Sequence, residues 1–305
     1  MKSSLSATQK NTNVKVCPAL ARLTLFHGNK LKDWHTSIRT QTHYMHSFSE
    51  NKVRSLAKKT DRLQWAVYNQ SHMSRTYPAG SRLDSSNYSP ILPWSVGCQM
   101  VALNFQTNDD KLRLNDGRFR ENGGCGYVLK ESSLLEMQNI TRSPPVPMRL
   151  SIRVVSGHCL PKAKDHKAGE CIDPYVVVSV YDIKDGNKET YSSFQTSVKY
   201  NNGFFPIWNE EKFTFTVENP TVAMLQLSVY DKDVASSDDF VAAASIPIAC
   251  LRKGLRSVKL FDASGTRIGA FDFASLLIEV KKGRGDKPAT IKKRDRSESS
   301  TIAEF

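Results

Sequence analysis

The chain has 305 residues, of which 39% are hydrophobic and 24% are charged. This length suits two domains of roughly 100–150 residues each, and the apolar content is too high for an intrinsically disordered protein. No apolar run approaches the ~18 residues that a membrane-spanning helix needs. The N-terminus lacks the apolar segment of a secretory signal, so the six cysteines are expected to be reduced thiols of a cytoplasmic protein.

The net charge of +13 is unevenly distributed. Residues 1–60 hold 11 Lys and Arg against 2 Asp and Glu, and residues 281–296 hold 8 against 2. Such charge favours anionic partners, either nucleic acid or an anionic membrane, and it is also typical of a solvated tail. No motif of interleaved aromatic and basic residues accompanies it, so nucleic-acid binding is not expected.

Residues 17–135 mix short apolar runs with helical patterns. The runs 19–27 and 98–107 are bounded by helix breakers and are typical of buried parallel strands. Between them, one helical pattern begins at Ser49 and a second lies near Arg62–Tyr68. This alternation predicts an α/β architecture.

From Met148 onward, the pattern changes to a period of two. Apolar and polar residues alternate over 150–154, 213–217 and 225–229. Antiparallel strands with one polar face have this pattern, and about eight of them are expected between 149 and 281. An all-β sandwich is therefore predicted for 148–283.

Three segments are expected to lie outside these domains. Residues 1–16 are polar without periodicity, and 284–305 form a basic tail with few apolar residues, so both are expected to be disordered. Residues 136–147 carry three prolines and are expected to be a linker.

One cluster could indicate zinc. Its members are His158, Cys159, His166 and Cys171. The spacing fits no zinc module and the segment is predicted to be a loop, so zinc is not expected.

Five strings in the first domain carry a family resemblance. They are SFSENK (47–52), SRTYPAG (74–80), RLDSSNYSP (82–90), GCQMVALNFQT (97–107) and GRFRENGGCGYVLK (117–130). In this order and at this spacing they resemble the Y region of phosphoinositide-specific phospholipase C, with the delta-like subfamily the most similar. The resemblance implies the second half of a TIM-like barrel, strands five to eight, with its site at the carboxyl ends of the strands.

The resemblance also implies headgroup contacts. Ser47 and Arg75 would contact the ring phosphate at position 4, and Tyr77 would lie against the inositol ring. A guanidinium forms charge-assisted hydrogen bonds with phosphate, and an aromatic face covers the apolar face of a ring. The alternative is structural: Ser47 would cap the helix that begins near Ser49, and Tyr77 would belong to the core.

No catalytic residue is expected in this chain. In the family, the two histidines and the calcium ligands of the reaction lie in the X region, which this sequence does not contain. His46 is adjacent to Ser47, but neighbours on a strand point to opposite faces. The chain is therefore expected to be inactive without an X region, and a separate polypeptide supplying that half is an open alternative.

Residues 148–283 resemble a C2 domain through a second set of strings. They are MRLSIRVVSGHCLPK (148–162), CIDPYVVVSVYD (171–182), NNGFFPIWNEEKFTFTV (201–217) and LQLSVYDKDVASSDDF (225–240). The resemblance implies a Ca²⁺ site whose candidate ligands are Asp173, Asn201, Asp231, Asp233 and Asp239. Asp238 is an alternative to Asp239, and Asp165 is a weaker candidate. These residues could instead be turn formers.

Taken together, the resemblance implies part of an enzyme that hydrolyses phosphatidylinositol 4,5-bisphosphate to diacylglycerol and inositol trisphosphate in intracellular signalling. The expected partners are an anionic phospholipid membrane and a phosphoinositide headgroup, and the expected location is cytoplasmic and peripheral to the membrane. The alternative function is a non-catalytic, calcium-dependent phospholipid-binding protein.

Overall fold

The structure is a computed structural model that describes residues 17–135, 145–162, 171–209, 212–233 and 237–284. The segment 1–16, most of the predicted linker 136–147 and the tail after Arg284 lie outside the described residues. Within the described ranges, no helix has the length and apolar character needed to cross a bilayer.

Contacts divide the chain into two compact units. The first unit consists of Met1–Tyr88, Val96–Asn104 and Lys130–Ile140. The second unit consists of Ser89–Ser95, Phe105–Leu129 and Thr141–Phe305. The second unit therefore includes two segments of the stretch 17–135, and the domain boundaries at 135 and 148 stay predictions.

The described helices are α1 Pro18–Ala21, α2 Trp34–Ile38, α3 Glu50–Leu56, α4 Lys59–Ser71, α5 Ile91–Ser95, α6 Asp110–Phe119 and α7 Ser132–Leu135. The strands of the first unit are β1 His27–Gly28, β2 Tyr44–Ser49, β3 Ser74–Tyr77 and β4 Met100–Val101. The strands of the second unit are β5 Met148–His158, β6 Pro174–Lys184, β7 Lys188–Gln195, β8 Lys212–Val217, β9 Met224–Asp231, β10 Asp239–Pro247, β11 Gly254–Lys259 and β12 Ser275–Arg284.

The first unit is built on a parallel sheet. Its strands follow the order β1-β2-β3-β4, and each pairs with the next in parallel. Four parallel strands alternating with helices are half of a TIM-like barrel, so the predicted fold of this unit is confirmed.

One face of this sheet is covered by helices. His46 and Phe48 of β2 and Thr76 of β3 are buried on it, and Trp65 and Tyr68 of α4 are fully buried. The two predicted helices are confirmed as α3 and α4, since both begin within a few residues of the expected positions. Packing against α4 fixes which face of each strand is buried.

The apolar runs 19–27 and 98–107 contain shorter strands than predicted. Residues 19–27 are not one buried strand: Pro18 begins the short helix α1, and Leu23 and Leu25 are exposed. In 98–107 the strand ends at Val101. The backbone N–H of Asn104 is bonded instead to the Asn87 side chain, at 2.6 Å.

The second unit is an antiparallel β-sandwich. One sheet has the order β10-β9-β6-β7 and the other has the order β11-β12-β5-β8. The eight strands expected after 148 match the eight strands described there. The residues that alternate with polar ones fill the core, which includes Leu150, Ile152, Val154, Leu225, Leu227 and Val229.

Helix α6 packs against the sandwich within the second unit. A Cβ atom at Gly117 would collide with the backbone carbonyl of Ser245 on β10, so only glycine permits this approach. Cations of α6 and of its C-cap residue also stack on aromatic rings of the second unit, at short distances from the ring centroids. They are Lys111 to Tyr181 at 4.3 Å, Arg113 to Phe240 at 4.0 Å and Arg120 to Phe261 at 3.6 Å.

We expect Gly117→Ala to lower the free energy of unfolding by about 2 kcal/mol. Alanine normally favours a helix over glycine by about 1 kcal/mol, so the clash with Ser245 decides the sign. Urea denaturation followed by near-ultraviolet circular dichroism measures the change. Gly283→Ala is the control, because a Cβ atom there meets nothing within 4 Å. Equal stability of the two variants would contradict the close packing of α6.

Candidate functional site

Three predicted headgroup residues lie together on the open face of the half-barrel sheet. In the parallel pairing of β2 and β3, Ser47 lies opposite Arg75, and Ser49 lies opposite Tyr77. Ser47 and Arg75 are exposed, and Tyr77 is half-buried. His46 points to the opposite, helix-covered face, as expected for a neighbour on a strand.

The guanidinium of Arg75 is available for an anion. It lies 5.2 Å from the centroid of the Tyr77 ring, so the ring backs the cation on one side. No ion pair with a carboxylate occupies Arg75 in the part of the chain that the structure describes. An exposed guanidinium on the open face of a parallel strand is suited to binding phosphate.

The structural alternatives for Ser47 and Tyr77 are not supported. Ser49, not Ser47, is the N-cap residue of α3. The Ser47 side chain stands on the open face of β2 beside Arg75. Tyr77 is only half-buried and contacts the Arg75 guanidinium instead of belonging to the core.

A buried carboxylate, Glu50, ties the loop after β3 to α3. Its oxygens accept hydrogen bonds from Nε and Nη2 of Arg82, both at 2.7 Å, and from the Ala79 backbone N–H at 3.3 Å. Arg54 adds a bond of 2.5 Å one helical turn away. The bidentate bonds from Arg82 lower the pKa of Glu50 below its ordinary value. Sequence reasoning missed Glu50, although an acid directly after the site strand was a visible signal.

The loop after β3 is fixed by side-chain hydrogen bonds to β3 and to the segment after β4. The Asn87 amide accepts from the Asn104 backbone N–H at 2.6 Å and donates to its carbonyl at 3.1 Å. The hydroxyls of Thr76 and Tyr88 lie 2.6 Å apart. These bonds hold the loop at the carboxyl end of β3 in one place.

The second candidate site is at one end of the sandwich, where the predicted calcium ligands lie. Asp231 ends β9 and pairs with Asp239 at the start of β10. The backbone N–H of Asp173, just before β6, donates to Oδ1 of Asp231 at 2.7 Å. The Asn201 N–H donates to Oδ1 of Asp173, also at 2.7 Å. Asp233 follows two residues after β9, so the five predicted residues come from loops and strand ends at the same end of the sandwich.

Asp238, the alternative ligand, is already occupied. It accepts hydrogen bonds from the Tyr175 hydroxyl at 2.7 Å and from the Asp233 backbone N–H at 3.2 Å. The Lys232 ammonium lies 3.0 Å from Oδ1 and 3.2 Å from Oδ2. The Tyr175 bond, together with the Lys232 contact, lowers the pKa of Asp238.

The donor chemistry at this end suits calcium, which prefers six to eight oxygen ligands. In the described residues, however, no three His, Cys, Asp or Glu side chains converge as a metal ion requires. Asp231 and Asp173 each direct an oxygen to a backbone N–H instead. Binding of calcium would therefore require these side chains to exchange hydrogen bonds for the ion.

The remaining candidates from the sequence are the zinc cluster and Asp165. The ring of His158, one of the zinc candidates, lies 3.0 Å from the Ser156 hydroxyl. Asp165 and His166 lie outside the described residues. The register of β10 shifts between Phe240 and Ala242, near the start of the strand.

Comparison with known proteins gives two family matches. Residues 20–133 match the family described as phosphatidylinositol-specific phospholipase C, Y domain, and residues 148–262 match the C2 domain. The chain is similar to the human 1-phosphatidylinositol 4,5-bisphosphate phosphodiesterase delta-1, with 42% identity over 229 residues. That alignment covers 72% of this chain and 29% of the relative. The delta-4 protein of Macaca fascicularis is 36% identical over 86% of this chain and 33% of its own.

Solved structures agree with these relatives. The crystal structure of L. pealei PLC21 superposes with a TM-score of 0.75 at 25% identity, covering 91% of this chain and 35% of that one. S. officinalis PLC21 gives a TM-score of 0.73 at 26% identity, covering 88% and 33%. The chain thus spans about a third of the length of the relatives it matches.

We expect Glu50→Gln to lower the free energy of unfolding of the first unit by about 3 kcal/mol at pH 7, because a nearly buried charge pair loses one partner. The difference from wild type should shrink with acidification. A carboxyl whose folded pKa is depressed stabilises fully above its ordinary pKa of about 4.3, and this contribution is lost as the pH falls through the folded pKa.

Urea titrations between pH 3 and pH 7 measure this difference. Asp61→Asn on α4 is the matched control, since Asp61 is a half-exposed acid of the same unit. A pH-independent difference for Glu50→Gln would show that the Glu50–Arg82 pair does not stabilise the unit.

Proposed function

Since the chain belongs to the phosphoinositide-specific phospholipase C family, of which it carries the Y domain and the C2 domain, we propose that it forms part of an enzyme of intracellular signalling. The enzyme would hydrolyse phosphatidylinositol 4,5-bisphosphate to diacylglycerol and inositol trisphosphate. The pairing of Ser47 with Arg75 on the open face of the half barrel carries this proposal.

In this proposal, Arg75 binds a phosphate on the inositol ring. Its guanidinium is exposed, backed by Tyr77 and not neutralised by a described carboxylate, so it retains its charge for the substrate. The Ser47 hydroxyl would donate a hydrogen bond to the same phosphate, and the Tyr77 ring would cover the ring face. These contacts orient the headgroup, while the Glu50–Arg82 pair keeps the loop after β3 in position.

The proton-transfer groups and the calcium ligands of the reaction would come from an X region, in the same polypeptide or in a second one. An X half would also pair with the strand edges at β1 and β4 and complete the barrel. This chain would then contribute binding and orientation, and the X half would contribute the chemistry.

We expect Arg75→Ala to reduce hydrolysis of the bisphosphate far more than hydrolysis of unphosphorylated phosphatidylinositol. Only the bisphosphate presents the ring phosphate, and a lost hydrogen bond to a charged group costs about 1.5–3 kcal/mol, or roughly 10- to 150-fold in rate. The measurement is kcat/KM on both lipids after co-expression of this chain with an X half.

Two variants serve as comparisons. Tyr77→Ala should reduce hydrolysis of both lipids, because both contain the inositol ring. Arg39→Ala should leave both rates unchanged, since Arg39 is an exposed arginine before β2, at the amino end of the sheet. Equal losses on the two lipids for Arg75→Ala would mean that Arg75 stabilises the fold and does not bind the phosphate.

The second candidate function is calcium-dependent binding to anionic phospholipid, with a cytoplasmic, membrane-peripheral location. The five oxygen donors, Asp173, Asn201, Asp231, Asp233 and Asp239, would hold Ca²⁺, which supplies positive charge for lipid phosphates when bound. The proposal is supported by their origin from loops at one end of the sandwich.

Exposed aromatic side chains at the same end favour this function. Tyr200, Phe204 and Phe205 are 68%, 78% and 44% exposed, respectively. The backbone that presents them is held firmly: the Cys159 N–H donates to the Phe204 carbonyl, and the Phe205 N–H donates to the Asn202 side chain at 3.0 Å. Rigid, exposed aromatic rings beside a charged loop are suited to the lipid headgroup region.

We expect Phe204→Ala to weaken binding to phosphatidylserine vesicles by about tenfold in the presence of calcium. Burial of a Phe side chain contributes about 1.5–3 kcal/mol, and 1.4 kcal/mol corresponds to a factor of ten. Co-sedimentation measures the change. Leu255→Ala on β11 is the control, because Leu255 is also exposed. Unchanged binding of Phe204→Ala would exclude this loop from the membrane contact.

A further inference from the structure

The loop between β9 and β10 contains an ion pair that neutralises one of its own carboxylates. The Lys232 ammonium contacts both oxygens of Asp238, at 3.0 and 3.2 Å. The Asp238 side chain is 21% exposed and the Lys232 side chain 45%, so the pair lies partly shielded from solvent. Two further donors, the Tyr175 hydroxyl and the Asp233 N–H, complete the bonding of this carboxylate.

Lys232 lies between two of the proposed calcium ligands, Asp231 and Asp233. Its backbone N–H donates to the carbonyl of Asp173, a third proposed ligand, at 3.0 Å. The bond to Asp173 fixes the backbone of Lys232, and the contact with Asp238 fixes its ammonium. A positive charge is thus carried by the residue that separates Asp231 from Asp233 in the chain, and its ammonium is held on Asp238.

We propose that Lys232 is a tethered counter-cation that sets the calcium affinity of these loops, by neutralising Asp238 and by repelling the incoming ion. This inference rests on the proposed calcium binding by the same loops. Lys232 would act through charge and through its hold on Asp238, without contacting calcium or lipid. Lys232 and Asp238 are accordingly positioning residues and not ligands.

The charges predict opposite effects for the two members of the pair. Without Lys232, the repulsion disappears and Asp238 carries an uncompensated negative charge, so calcium affinity rises. Without the Asp238 charge, Lys232 stays positive beside the site, so calcium affinity falls. Charges a few ångströms apart near a protein surface interact strongly enough to change affinity by about fivefold or more.

The test is a calcium titration of the full chain by isothermal calorimetry at fixed ionic strength. Lys232→Gln should bind calcium at least about fivefold more tightly than wild type, and Asp238→Asn at least about fivefold more weakly. The double variant should return to within about twofold of wild type. Lys232→Arg keeps the charge and should bind like wild type.

An ion pair at the far end of β6, away from Asp173, is the matched control. Lys184 ends β6 and lies 3.9 Å from Glu218. Lys184→Gln and Glu218→Gln change the net charge in the same way, so they should leave calcium affinity unchanged. This control separates the local pair from an effect of overall charge.

Other outcomes would overturn either the role of Lys232 or the calcium site on which it depends. Equal affinities of wild type, Lys232→Gln and Asp238→Asn would overturn the role of Lys232 while leaving calcium binding intact. A fall in affinity for both single variants would show that the pair only holds the loop shape. If Asp238→Asn does not fold, the rise expected for Lys232→Gln, absent in Lys232→Arg, decides the question. The absence of calcium heat in every variant would overturn the proposed calcium site itself.

Discussion

The site of the first unit depends on the parallel pairing of β2 with β3. Because side chains alternate along a strand, burial of His46, Phe48 and Thr76 under the helices directs Ser47 and Arg75 to the open face. A shift of one residue in this register would bury the arginine and expose the aromatic core. The packing of α4 on one face of the sheet therefore determines which side chains reach the open face.

Both units use a carboxylate to hold the loops at the ends of their strands. In the first unit, Glu50 bonds the side chain of Arg82 and the backbone of the loop after β3. In the second, Asp231 accepts from the Asp173 backbone, and Asp238 joins Tyr175 of β6 to the loop after β9. A partly buried carboxylate is stable there because several N–H and O–H donors replace its lost hydration. The loops are thereby ordered by hydrogen bonds within the protein.

Much of this arrangement could be predicted from the sequence. Period-two alternation located the sandwich strands, and residues such as Leu150 and Leu227 are fully buried as that pattern requires. The motif strings placed Ser47, Arg75 and Tyr77 on two strands that prove to be adjacent. The run 19–27 misled, because a strand needs a partner as well as apolar residues, and Pro18 begins a helical turn there. The Lys232–Asp238 pair and the contact of Gly117 with Ser245 depend on loop conformation and on packing between distant segments, which a local pattern does not encode.

The proposed role of this chain requires that a phosphorylated inositol ring binds on the open face of the half barrel. A crystal structure of this chain assembled with an X half and soaked with soluble inositol 1,4,5-trisphosphate tests it most directly. We expect a ring phosphate within hydrogen-bond distance of the Arg75 guanidinium and the Ser47 hydroxyl, with the Tyr77 ring against the inositol. A headgroup bound in a complete barrel without contact to any of these three side chains would contradict it.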